Sequence, residues 1–307
     1  MLLQSPEGEA AAEGFNAGET IIEHVANSSI DHPLIHLPTV FGVDMSVTKH
    51  VFMLWLVAAI TFFGITFVVR RYLRQERLIP TGFMGLLEIV VEFVRDTIVQ
   101  PNVGNKWVKT WAPLLLTLFF FILGANLIGI IPIFDVFSLL NHTVLHLPED
   151  SFFAQVLHGG TTATGNFNVT AALASISFVA IIVAGSRAHG FVKHWKNMVP
   201  TGLPFPIYFL LIPIEIMGMF VRPFALTMRL AANMTGGHIA ILAILSFVFI
   251  FAELAGRAVV GIGVGAILSL PLAVGISGLE LIVILVQAYV FTLLTAVFIG
   301  MAIHAHH

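Results

Sequence analysis

Four ionisable side chains, Glu215, Arg222, Arg229 and His238, stand inside one long apolar stretch, residues 206–252. Asn233 lies among them, and the following apolar stretch, 258–303, carries Glu280 and Gln287. Ionisable groups at membrane depth mark functional sites by default. An Arg near the bilayer midplane costs about 2.5–3.5 kcal/mol on translocon scales and about 10–17 in simulations of an isolated helix. It cannot shed its proton to escape, so it requires a carboxylate or water opposite it. An imidazole beside a carboxylate supplies a different chemistry, since reference pKa values of about 6.5 and about 4.3 span the range needed to pass protons near neutrality.

Helical spacing sorts these groups onto faces. At about 100° per residue, Glu215, Arg222, Arg229 and Asn233 fall within about 40° of one another, and His238 sits about 180° from Arg229. Glu280 and Gln287 are about 20° from alignment on one face of the next helix. The simplest pairing sets His238 against Glu280 and leaves Arg229 to look at something else. Ala231, Ala232, Gly236 and Gly237, with Gly275 and Gly278 on the other stretch, would permit the close helix approach this pairing requires, or serve packing alone. Snorkelling to the interface accounts for Arg222 and Glu253 and is open to Arg257. Arg229, about sixteen residues past Pro213 and about twenty-two before Phe251, lies too deep for it.

Composition says what kind of chain positions these groups. Of 307 residues, 58% are hydrophobic and 10% charged, and the mean hydropathy is +0.97, so this is an integral membrane protein. A formal net charge of -3 leaves no basic surface for nucleic acid. The absence of Cys excludes disulfide scaffolds, thiolate metal sites and cysteine nucleophiles. The first residues have neither a basic n-region nor an apolar h-region, so no cleavable signal peptide is expected.

The expected fold is an all-α, multi-pass membrane domain over 49–307, preceded by an acidic extracytoplasmic arm, 1–48. Spans are predicted at about 51–69, 113–134, 167–185, 206–252 and 258–303, with an interfacial amphipathic helix at about 81–100, where charges recur at intervals of three and four. The last two stretches would each run roughly 70 Å as helices, against a hydrocarbon core of about 30 Å. Each is therefore strongly tilted or else broken, at Pro213, Pro223 and Gly236-Gly237, or at Gly261-Gly263-Gly265 and Pro271. Arg70, Arg71, Arg74 and Arg77 follow the first span, and Arg187, Lys193 and Lys196 follow the third. The loop after the second holds Asp135, Glu149 and Asp150 and no basic residue. The positive-inside rule then puts the N-terminus and loop 134–165 outside and the C-terminus in the cytoplasm.

RLAANMTGGH, Arg229 to His238, preceded by Glu215 and Arg222 and followed by LELIVILVQAYVFTLLTAVFI (Leu279 to Ile299), closely resembles subunit a of the F-type ATP synthase. NLIGIIP, Asn126 to Pro132, resembles the same family, and the likeness runs from about Val51 to the C-terminus. The resemblance implies a non-catalytic stator subunit with no nucleotide site and no cofactor. Its two tilted helices would embrace a ring of small hairpin subunits, each with one buried carboxylate, beside a peripheral stalk subunit and the rest of the complex. On it, Arg229 corresponds to the essential arginine that faces the ring carboxylate and separates two offset aqueous half-channels. Asn233, His238, Glu280 and Gln287 fall on positions of the channel open to the outside, and Glu215 falls near the cytoplasmic exit. In some members the acid follows the Gly pair and the His lies on the next segment; here the order is exchanged. A bacterial plasma (inner) membrane suits an outside arm of this length better than a mitochondrial inner membrane.

Two other readings compete. An intramembrane metalloenzyme would use the His set, but neither His142 and His146 nor His304, His306 and His307 has a companion acid on a shared span. A secondary transporter with broken helices would show inverted repeats and a midplane substrate pocket, neither of which the sequence displays.

Overall fold

The computed structural model describes Gly18, Ile35 and residues 37–39, 46–74, 79–130, 162–196, 204–254 and 258–304. Most of the arm 1–48 and of loop 134–165, and with them His142, His146, Arg77, Arg257, His306 and His307, lie outside the described residues.

Every long apolar stretch is helical. The first membrane helix, α1, is Lys49–Leu73, and Arg70 and Arg71 in its last turn complement the helix dipole. Just before it, Ile35 and Val47 form an isolated antiparallel bridge, in which the Val47 N–H donates to the Ile35 carbonyl at 2.9 Å. Helix α2, Phe83–Glu92, passes into a π-helical turn, Phe93–Val99, and a short α3, Gln100–Val103. Helix α4 is Val108–Ile130 and α5 is Phe167–His189. The Asn166 side chain caps α5 by accepting from the Asn168 N–H at 2.8 Å. Gly190, at φ 87°, ends it, and the chain turns into α6, Phe191–Lys196.

The π-turn departs from the simple helix expected over 81–100, and Pro101 supplies a reason. A proline has no N–H for the carbonyl four residues back and its ring clashes with that carbonyl, so the turn before it widens, with the Gln100 N–H reaching the Arg95 carbonyl. The widened turn carries Val94, Ile98 and Val99 together into the core, each fully buried. Opposite them, exposed Arg95 donates to Asp96 at 2.7 and 2.9 Å, and that hydrogen bond holds the Asp96 carboxyl below the usual carboxylate range.

The last two stretches are single helices, α7, Phe205–Leu254, and α8, Ala258–Ile303. Pro213 and Pro223 lie inside α7, and Pro271 inside α8, so of the two alternatives the unbroken one holds. Hydrocarbon offers no water to an opened turn, which makes continuing the helix around a proline less costly than unwinding it. With 50 and 46 residues, each has more than the roughly 20 residues that one upright crossing of the hydrocarbon core requires.

Contacts divide the chain into two units. One comprises Asn27–Met234 and Leu281–His307, and the other Met1–Ala26 and Thr235–Glu280. The core of the first is built from Val94, Ile98, Leu115, Ile122, Leu230 and Phe291 and their neighbours. Among the described residues, five helices are long and apolar enough to cross a membrane. The molecule is an all-α multi-pass membrane protein.

Candidate functional site

Arg229 lies at the middle of α7, on a solvent- or lipid-facing surface of its own unit. Among the described residues, no carboxylate stands within ion-pair distance of it. One turn further along α7, Asn233 Nδ2 donates to Gln287 Oε1 at 3.1 Å. The Gln287 side chain is buried in α8, whereas Asn233 is exposed. The amide pair therefore fixes the two helices against each other within this unit while leaving Asn233 beside the Arg229 surface.

Two turns before Arg229, Arg222 has the partner that Arg229 lacks. Its Nη2 lies 3.9 Å from Glu215 Oε1, and its guanidinium stands 5.4 Å from the centre of the Phe298 ring, within the range of a cation–π contact. Glu215 is thus committed to Arg222, an ion pair that snorkelling had not anticipated.

The other unit holds His238 and Glu280. His238 Nδ1 lies 3.3 Å from Glu280 Oε1, the pairing expected from the helical faces. The approach is off the hydrogen-bonding line, so His238 Nδ1 and both Glu280 oxygens are buried with no directed protein hydrogen bond. Buried polar atoms without a hydrogen-bond partner are uncommon, which sets this pair apart from the hydrogen-bonded contacts elsewhere in the chain.

The small residues separate in their roles. A Cβ at Gly237 would come within 2.6 Å of Glu280 Oε1 and 2.9 Å of its Cδ, whereas at Gly236, Gly275 and Gly278 nothing described lies within 4 Å. Close approach thus rests on Gly237 alone of these four. A Gly237→Ala change should raise intrinsic helix propensity by about 0.8–1.0 kcal/mol yet push the carboxyl away from His238. We expect a protein that still folds and whose activity is reduced severalfold, with Gly236→Ala unaffected; equal activity in both variants would remove Gly237 from the site.

A second buried polar contact, from Thr164 Oγ1 to Asn126 Oδ1 at 2.5 Å, ties the end of α4 to the turn before α5. The spacing of polar residues gave no signal for it. No three His, Cys, Asp or Glu side chains gather as a metal site requires, among the described residues.

The family model for the ATP synthase A chain matches residues 51–300. The chain belongs to that family. It is similar to ATP synthase subunit a 2 of Chlorobium luteolum, at 37% identity over 95% of this chain and 78% of the relative. Subunit a of Chlorobium phaeobacteroides is 36% identical over 99% of this chain and 81% of its own length. That of an Anaeromyxobacter species is 39% identical over 88% and 57%. All the residues discussed above, from Glu215 to Gln287, lie inside the matched range, so this member carries its charged groups within the part that defines the family.

Proposed function

We propose that the chain is the proton-translocating stator subunit of an F-type ATP synthase, in which Arg229 is a fixed charge facing a carboxylate carried by a ring of small membrane subunits. One observation carries the proposal: an Arg in mid-helix, exposed, with no carboxylate of its own chain in reach among the described residues. Lipid cannot satisfy that guanidinium. On the same side of α7 its neighbours Ala225, Met228 and Ala232 are exposed as well, while Leu226, Leu230 and Met234 face the core.

The physics of coupling follows from that charge. A proton is worth about 2.3 kcal/mol per 100 mV of membrane potential and must reach the ring acid without crossing directly. Arg229 repels protons, yet attracts an ionised carboxylate by about 4 kcal/mol at 4 Å for an effective dielectric near 20. The ring acid therefore arrives opposite Arg229 deprotonated, having released its proton on one side, and reloads only from the other. Asn233 and Gln287 line the approach beside Arg229. His238 and Glu280 pass protons on the outer side, and Glu215, held by Arg222, serves the cytoplasmic exit. The chain itself forms no nucleotide site. A peripheral stalk subunit holds it against rotation, and it sits in a bacterial plasma membrane.

Orientation is part of this reading and is open to a direct test. The chain contains no Cys, so single cysteines can be labelled without background. An impermeant maleimide should reach positions in the arm and in loop 134–165 only from outside, and positions in 187–196 and the C-terminal tail only from the cytoplasm. Labelling of the tail from outside would reverse the assignment of His238 and Glu280 to the outer half-channel.

A further inference from the structure

The C-terminal half of α1 carries a groove that the proton-handling groups do not use. Phe63, Thr66, Phe67, Arg70, Arg71 and Arg74 line it, and it encloses about 570 Å³. Spacings of three and four place Phe63, Phe67, Arg70 and Arg74 along one helical stripe, apolar below and cationic above. Phe63 and Phe67 are 67% and 65% exposed, and only 11% of the most apolar stretch of α1 is buried. None of the three arginines has a carboxylate within ion-pair distance among the described residues.

Basic residues at a membrane-helix end serve topology and the helix dipole, and Arg70 and Arg71 in the last turn of α1 meet both needs. Those roles ask only for charge. They do not ask for two uncovered aromatic rings directly beneath the guanidinium groups, continuing the same groove toward the hydrocarbon. A guanidinium matches phosphate oxygens with parallel N–H donors, and a phenyl face offers apolar contact to an acyl chain. Free phosphate uses the first feature and not the second.

We propose that this groove binds an anionic phospholipid, whose phosphate is held by Arg70, Arg71 and Arg74 and whose acyl chain lies along Phe63 and Phe67. The site is independent of which way the chain faces, because it is defined by the end of α1 and not by the side of the membrane. It is equally independent of the proton-handling assignment, since none of its residues belongs to that set.

The test uses the complete, detergent-purified complex equilibrated with phosphatidylglycerol or phosphatidylcholine and read by native mass spectrometry as lipid retained per complex. Phosphatidylglycerol should be retained in preference to phosphatidylcholine. At low salt, Arg70→Gln with Arg74→Gln should weaken that retention about 30-fold, the equivalent of about 1 kcal/mol for each basic side chain. Phe63→Ala with Phe67→Ala should also weaken it, and Arg70→Lys with Arg74→Lys should retain most of it. Millimolar inorganic phosphate should not displace the lipid. Equal retention of the two lipids, an unchanged Arg70→Gln/Arg74→Gln variant in an assembled complex, or displacement by inorganic phosphate would each overturn the proposal. Protection of the groove by another subunit of the complex, seen as no lipid bound there at all, would overturn it too.

Discussion

Replacing Arg229 by Gln or Ala should abolish proton-driven ATP synthesis while leaving the complex assembled. The guanidinium makes no ion pair within the described chain, so its removal leaves no buried acid stranded, and the fold has little reason to fail. On the proposed function, what disappears is the barrier between the two sides of the membrane and the attraction for the ring carboxylate. Lys should be a poor substitute, because a strongly hydrated ammonium shifts its pKa when buried and can lose its charge, which a guanidinium cannot. The measurement is ATP synthesis in proteoliposomes under an imposed proton gradient, with subunit content matched by immunoblot. Coupled synthesis retained above about a twentieth of the native rate, a residual barrier difference under about 2 kcal/mol, would remove Arg229 from the mechanism.

Exchanging the two members of the buried pair should separate a proton-handling unit from two independent side chains. His238 and Glu280 meet at 3.3 Å in the same unit, and neither acid oxygen has another protein partner among the described residues. Losing either side chain leaves the other without the neighbour it faces at 3.3 Å. Each single change to Ala should therefore slow proton pumping. The double change His238→Glu with Glu280→His restores one acid and one imidazole across the same gap and should recover part of the activity lost in either single variant. Pumping by the exchanged protein that is slower than by both single variants would show that the two side chains act separately.

The membrane helices were legible because hydropathy over some twenty residues depends little on local detail. The stretch Val51 to Val69 extends by only a few residues at each end to Lys49–Leu73, and 167–185 to Phe167–His189. Whether α7 and α8 break was not legible. Pro213, Pro223 and Pro271 have the same local preference in a kinked helix and in an unwound one, and the surroundings decide between them. The π-turn escaped notice for a related reason: charges spaced by three and four read as a regular α-helix, and only the demand that Ile98 and Val99 be buried together exposes the wider turn.

At the site, the facing of His238 and Glu280 followed from helical geometry, because both lie on long, regular helices. The pairing of Arg222 with Glu215 did not, since a snorkelling arginine and a paired one look alike in sequence. Nor could spacing tell Gly237, which makes room for the Glu280 carboxyl, from its neighbour Gly236, which meets nothing described. One step along a helix turns a side chain by about 100°, and only the position of the opposing helix gives that angle a meaning.

The central claim is that Arg229 prevents protons from crossing without rotation. It is tested most directly by proton flux through complexes reconstituted in vesicles whose ring is locked to the stator by a cross-link, with a potassium diffusion potential as the driving force. With the native chain, locked complexes should conduct no protons, and Arg229→Ala should open a leak under the same lock. A locked Arg229→Ala complex as tight as the native one would contradict the account.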